Sequence, residues 1–242
     1  MSDLYPDVLE FAERIERIES ADEAWKAFLA FAARYGLRFG ALCDLPGANE
    51  EFRDTMICLS WPDGWSERYF DQDYVKRDPA VLQAAETFDP YVWDELLKNP
   101  AYSRGQRRIV QEATDFGMQT GFVVPILGFR TGTTFVTVAG TDADLSLRAR
   151  AELHLAAVYA HTRIRALVTT KRRAPVMPPL SHRERECLAW VATGKSDWEI
   201  GEILSISEKT ANAHIERAKT KFGVPTRLQA VVLALRSGAI YA

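Results

Sequence analysis

Six residues have the side-chain types to hold a small polar ligand: Trp61, Trp65, Tyr69, Tyr74, Asp78 and Trp93. Indole N–H groups only donate hydrogen bonds, a phenol can donate, and an ionised carboxylate only accepts. Trp61, Trp65 and Tyr69 recur every fourth residue, the spacing of one helix face, and Trp61-Pro62 is expected to open that helix. Aromatics at this spacing ordinarily build core. Asp78 argues for more, because a carboxylate beside such a stripe needs a donor once it is buried. Together these groups suit a neutral molecule that brings one amide N–H and two carbonyls.

A second set lies near the C-terminus. Over residues 208–222, Ala211, Ile215, Ala218 and Phe222 fall at i, i+4, i+7 and i+11 and form a predicted buried stripe. The opposite face carries Lys209, Asn212, Ala213, Glu216 and Thr220, flanked by His214, Arg217, Lys219 and Lys221. An amide can pair with adenine at two points and a carboxylate can accept from cytosine, so Asn212 and Glu216 are candidates for base contact. Lys209, His214, Arg217 and Lys219 suit phosphates, which position a protein without specifying sequence. The competing reading is the solvated face of an ordinary helical bundle.

Other chemistry is not expected. His154 and His161 have no cysteine or carboxylate at a metal-ligand spacing, and no nucleophile with a base or pair of pocket carboxylates is visible. No metal, cofactor or enzymatic activity is therefore expected. Cys43, Cys58 and Cys187 are scattered and odd in number, which suits reduced thiols in a cytoplasmic protein.

The elements that must position these residues can be read in outline. Residues 7–19 and 21–35 look helical, with a capping box at Ser20-x-x-Glu23 and a stop at Gly36. Residues 37–44 and 54–60 read as strands, and 101–116 as a helix stopped by Gly117. Two more strands, from Thr120 to Leu127 and from Thr133 to Ala139, flank the turn-rich segment 128–132. A long helix from about Leu147 to Val168 follows, capped by Ser146. Its narrow stripe, Leu153, Ala156, Ala157, Ala160, Ile164 and Leu167, suits either a partner helix or its own sheet. Helices flanking short, sequence-adjacent strands predict an α+β fold, an α/β/α sandwich with a largely antiparallel sheet. Residues 169–179, with three prolines and three cations, read as a linker. Beyond them Ser181, Ser196, Ser207 and Thr226 each start a helix, and Gly194, Gly223 and Gly238 stop three of the four. This is a small all-α domain whose second and third helices have helix-turn-helix proportions.

The expected domains are thus 1–168, the linker, and 180–242. Charge follows this division: residues 171–242 hold 12 Lys+Arg against 7 Asp+Glu, a net of +5, and the remainder nets −8. A polyanion partner is expected for the basic part only. No apolar run approaches the roughly 20 residues a membrane span needs, and the acidic, amphipathic N-terminus is unlike a secretory signal.

Leu180-Ser-His-Arg-Glu184-Arg-Glu-Cys-Leu188, Gly194-Lys195, Glu199-Ile200, Ile206-Ser-Glu-Lys-Thr210, His214, Lys221 and Ala230 together resemble the LuxR-type DNA-binding domain. The sequence departs from that pattern at Gly201 and Ala211, where alanine and valine are usual. Trp-x3-Tyr-x8-Asp-Pro at Trp65, Tyr69, Asp78 and Pro79, with Trp93 and Gly117, resembles the autoinducer-binding domain of quorum-sensing LuxR-type regulators. Thr137 stands where that family often supplies a second hydroxyl to the acyl carbonyl. Trp61 stands where tyrosine is common. A phosphorylated receiver is disfavoured, since its strand–helix alternation is missing.

The resemblance implies a ligand-responsive transcription factor whose third C-terminal helix enters the major groove. Its expected partners are an N-acyl homoserine lactone, an inverted-repeat DNA site, a second copy of the chain and, as a further candidate, RNA polymerase. An N-acyl homoserine lactone has the required inventory: Trp65 to the lactone carbonyl, Asp78 to the amide N–H and Tyr69 to the acyl carbonyl. The bulk of Trp61 predicts a short, branched or aromatic acyl group. A sensor domain that only docks proteins, or a fused enzyme, are the alternatives.

Overall fold

The computed structural model describes residues 6–46, 50–128, 132–171 and 179–241, which form two compact units. In the first, α1 (Pro6–Glu16) and α2 (Ala21–Ala32) precede β1 (Leu37–Asp44) and β2 (Met56–Ser60). Then come α3 (Trp65–Asp71), α4 (Pro79–Glu86), the short β3 (Tyr91–Val92), α5 (Trp93–Lys98) and α6 (Arg104–Glu112). The hairpin strands β4 (Thr120–Gly128) and β5 (Gly132–Gly140) lead into α7 (Leu147–Lys171). The sheet has the order β2-β1-β5-β4-β3, and β1 with β2, β1 with β5, and β3 with β4 pair antiparallel.

Strand alternation assigns each residue to a layer. Leu42, Phe122, Val124, Val136 and Val138 face α1, α2 and α7, where Phe28, Leu153 and Ile164 fill the core. Their neighbours Cys43, Val123, Phe135 and Ala139 face the opposite way, toward the aromatic residues of α3 and the elements after it. Each fully buried Val, Leu, Ile or Phe side chain among them contributes about 1.5–3 kcal/mol. The small-residue stripe on α7 is spent inside this unit: Leu153, Ala156, Ala157, Ala160 and Ile164 are buried, and the helix packs on α1, α2 and β4.

Three sequence expectations are corrected. Ser20 occupies the cap position of α2 but makes no side-chain cap bond, so no capping box forms there. Asp22 and Glu23 instead place negative charge in the first turn. The helix expected at 101–116 is α6, opened by a Ser103–Gln106 capping box, followed by a 3-10 turn over Ala113–Phe116 that Gly117 ends with φ 80°. α7 continues through Thr169–Lys171, where a linker was expected. The rest of that linker, 172–178, and the turn residues 129–131 lie outside the described residues.

The second unit is helical: α8 (His182–Ala192), α9 (Asp197–Leu204), α10 (Glu208–Phe222) and α11 (Arg227–Arg236). Ser181, Ser196 and Thr226 form complete capping boxes with Glu184, Glu199 and Gln229, and Ser207 caps α10 through the Thr210 N–H. Leu188, Ile200, Ala211, Ile215, Ala218 and Ala234 make the core. The turn between α9 and α10 folds tightly. A Cβ on Gly201 would lie 2.8 Å from the Ile206 carbonyl oxygen, so glycine admits the close approach.

Candidate functional site

Beyond β2 the chain turns through Trp61-Pro62-Asp63-Gly64 into α3. A residue before proline is driven out of the helical region, and Gly64, with φ 80°, occupies the cap position. Trp61 therefore precedes the helix instead of lying along its face. Its ring nonetheless packs with centroids 5.0 Å from Tyr69 and 6.5 Å from Trp65. The aromatic group expected from a helical repeat is assembled by a turn and a helix together.

Asp78 follows α3 in the chain. It caps α4, with Pro79 as the first helical residue, an arrangement suited to both. Oδ1 accepts from the Ala80 N–H at 2.9 Å, and Oδ2 from the Tyr69 hydroxyl at 2.8 Å. Burial pushes the Asp78 carboxyl above its ordinary value, and these two hydrogen bonds pull it back. The same burial, with Asp78 alongside, drives the Tyr69 phenol well up, so it stays a donor. The Tyr91 hydroxyl donates to the Ala80 carbonyl and so ties α4 to the sheet edge.

Trp61, Trp65, Tyr69, Asp78, Trp93 and Thr137 line one pocket on this face of the sheet. Trp93 enters at the start of α5, and its ring lies directly over Gly121 of β4. A Cβ there would come within 2.3 Å of Cε2. The Trp93 Nε1 is buried without a partner among the described residues. Thr137 comes from β5, opposite Ala41 of β1. Phe135 and Ala139, two residues to either side, share the pocket, and the strand period alone could have found them once Thr137 was singled out. Cys43 also lines it, as a thiol that burial pushes well above its usual value. Phe52, Val81, Ile109 and Met118 complete the apolar wall and carry no sequence signal of their own.

Tyr74 is the exception among the expected ligand residues. It is buried beside Trp65 and Tyr69 but does not line the pocket. Its hydroxyl donates to Glu112 at 2.6 Å. That carboxylate, which also accepts from Arg68 and Arg108, is lowered mainly by the Tyr74 hydroxyl. Tyr74 thus ties the turn after α3 to the end of α6 while its ring packs on Trp65 and Tyr69 of α3.

On α10, Lys209, Asn212, Glu216 and Arg217 are exposed and Ala213, His214 and Lys219 are half-buried. Lys219 is drawn back along the helix onto Glu216, 2.7 and 2.9 Å from its two oxygens. The Asn212 amide donates to Oδ2 of Asp197, the first residue of α9, at 2.7 Å. Arg227 of α11 sits 3.0 Å from the other oxygen of Asp197 and also donates to the Lys195 carbonyl. Lys221, on the same helix, is structural: it reaches Glu184 at 2.7 Å and the Pro179 carbonyl at 3.1 Å. The sequence gives no sign of this Asp197 contact, because its partner lies 15 residues away, across a turn.

Comparison with known proteins agrees with both halves. The model of the autoinducer binding domain matches residues 20–164, and that of bacterial regulatory proteins of the luxR family matches 178–234. The transcriptional activator protein BjaR1 of Bradyrhizobium diazoefficiens is 33% identical over 233 residues, covering 95% of this chain and 94% of its own. The HTH-type quorum sensing-dependent transcriptional regulator RpaR of Rhodopseudomonas palustris is 34% identical, with 82% and 81% covered. Crystalline SdiA of Escherichia coli shares the fold, with a TM-score of 0.72 at 22% identity over 99% of this chain and 100% of that one. The chain belongs to the LuxR family of quorum-sensing transcriptional regulators, with an autoinducer-binding domain followed by a helix-turn-helix that binds DNA.

Proposed function

We propose that residues 1–168 bind an N-acyl homoserine lactone with a short, branched or aromatic acyl group. We further propose that the protein, as a homodimer, binds an inverted-repeat DNA site through residues 180–242. The observation that carries the ligand reading is the buried Tyr69–Asp78 pair among indoles. A carboxylate has about four lone-pair sites, and two of those on Asp78 are taken by Tyr69 and Ala80. The remainder suit the amide N–H of the ligand. Trp65 serves the lactone carbonyl. The only proton of Tyr69 is committed to Asp78, so the acyl carbonyl falls to the Thr137 hydroxyl, with the Trp61 and Trp93 indoles as further donors. Trp61 narrows the space available to the acyl chain.

The deciding experiment is expression in a lactone-producing host, extraction of the purified protein and mass spectrometry of what it released. A homoserine lactone at near one per chain supports the reading, and its absence together with no thermal shift on adding lactones opposes it. For the dimer, tighter binding to a two-half-site palindrome than to one half-site is expected, because one recognition helix reads only a few base pairs.

A further inference from the structure

The bond between Asn212 and Asp197 constrains what the recognition helix can read. Asp197 is an acceptor whose side chain is only 15% exposed: Oδ2 takes the Asn212 amide, while Oδ1 lies 3.0 Å from Arg227 with no hydrogen-bond partner among the described residues. A carboxylate cannot donate, so the Asn212 atom facing it must be the nitrogen. One of the two amide N–H groups is thereby used inside the protein, and Oδ1 remains as an unspent acceptor with a single N–H beside it. Guanine presents two acceptors in the major groove, O6 and N7, and is met by two donors. Adenine and cytosine each present an exocyclic amine, which needs an acceptor. Glu216, one turn further along α10 and also exposed, offers only acceptors, with Lys219 holding both its oxygens.

We propose that Asp197 is a positioning residue that locks the Asn212 amide with its oxygen toward the bases, so that α10 selects amine-bearing bases, adenine or cytosine, and rejects guanine at the contacted position. The proposal rests on the reading of α10 as the helix that enters the major groove. Arg227 acts one step further back, placing its positive charge beside Asp197 from α11.

The test is selection of binding sites from a random DNA pool by the full-length protein and its variants at one salt concentration. Loss of preference in N212A identifies the contacted position. There the wild type is expected to favour adenine or cytosine over guanine by about tenfold or more, and D197A to lose most of that ratio, because a released amide can turn both N–H groups outward. D197N, whose side-chain oxygen can still accept from Asn212, should keep the preference while weakening the pairing with Arg227. A merely structural role for Asp197 would instead lower affinity for every sequence equally. Should D197A fail to fold, D197S, too short to reach Asn212, takes its place. Guanine at the contacted position in the wild type, or an unchanged preference in D197A, overturns the proposal. A wild type that enriches no sequence overturns it together with the reading of α10 beneath it.

Discussion

Tyr69 and Asp78 lie nine residues apart and meet through one buried hydrogen bond of 2.8 Å. The bond couples the helix that carries the aromatic wall to the cap of the next helix, so one proton organises both sides of the pocket. Tyr69→Phe leaves Oδ2 of Asp78 buried without that donor, which costs about 1–3 kcal/mol. The loss should appear in chemical denaturation without added lactone. Asp78→Asn should act differently: one acceptor oxygen is kept, but the charge-assisted bond to the ligand, about 1.5–3 kcal/mol, is lost. Its lactone dose–response should shift by an order of magnitude or more, and a wild-type response would remove Asp78 from the ligand's contacts.

Gly121→Ala tests the seat of Trp93. The added methyl would fall 2.3 Å from the indole, so the ring or the strand must move. Such overpacking costs about 1–3 kcal/mol, and the variant should lose lactone response as well as stability. Full response would mean that Trp93 has no fixed part in the site.

Trp61 should set chain length. Its ring stacks 5.0 Å from Tyr69 at the pocket wall, and Trp61→Tyr enlarges the space while keeping a donor. The cognate lactone at a hundredfold excess over its Kd should stabilise the wild type by about 2.7 kcal/mol. In thermal shift, straight long-chain lactones should do less for the wild type and more for Trp61→Tyr. Long chains stabilising the wild type best would reverse the assignment.

Two lysines of α10 should separate cleanly. Lys209 is exposed, and Lys209→Ala should leave melting unchanged, weaken all DNA sequences alike and reduce the salt slope by about one. Lys221 holds the nearly buried Glu184 at 2.7 Å. Burial would raise that carboxyl, but Lys221 and the Ser181 N–H outweigh it and lower it. Lys221→Met should therefore destabilise the helical domain by about 1–3 kcal/mol and affect DNA binding only through folding. A salt slope reduced in Lys221→Met at full stability would count it among the phosphate contacts.

Glu199 supplies the pH dependence. The Ser196 backbone N–H, then Lys195 and the Ser196 hydroxyl, hold its carboxyl down at about 2, against an ordinary value of 4.5. A depressed carboxyl stabilises fully above the ordinary value and loses that contribution as pH falls through the depressed one. The cap of α9 should therefore persist below pH 4 and open near pH 2, followed by the Glu199 carboxyl carbon shift in an NMR titration. Glu199→Gln should keep the cap, since glutamine serves a capping box, and lose the transition. A midpoint near 4.5 would mean that the box is open in solution.

Much of this protein is local and therefore legible without tertiary structure. Capping boxes at Ser181, Ser196 and Thr226, the stop at Gly223 and the 211–215–218 stripe depend on contacts within a few residues, and each forms as the spacing predicts. The largely antiparallel sheet was expected from short strands adjacent in sequence, although its pairing of β1 with β5 joins residues about a hundred apart, and the strand period turns Thr137 to the pocket beside Phe135 and Ala139. Between α3 and α6 the chain has little periodicity. There α4, α5 and β3 form because Asp78 caps a helix, Tyr91 bonds to Ala80 and Gly121 makes room for Trp93. The same limit displaced Trp61 from its helix and turned Tyr74 to Glu112. Side-chain type and spacing determined which donors and acceptors this protein carries in these two stretches. That Tyr69 gives its hydroxyl proton to Asp78, and that Asn212 gives an amide N–H to Asp197, was decided by the tertiary structure, because a hydrogen bond is settled by where its two atoms meet in space.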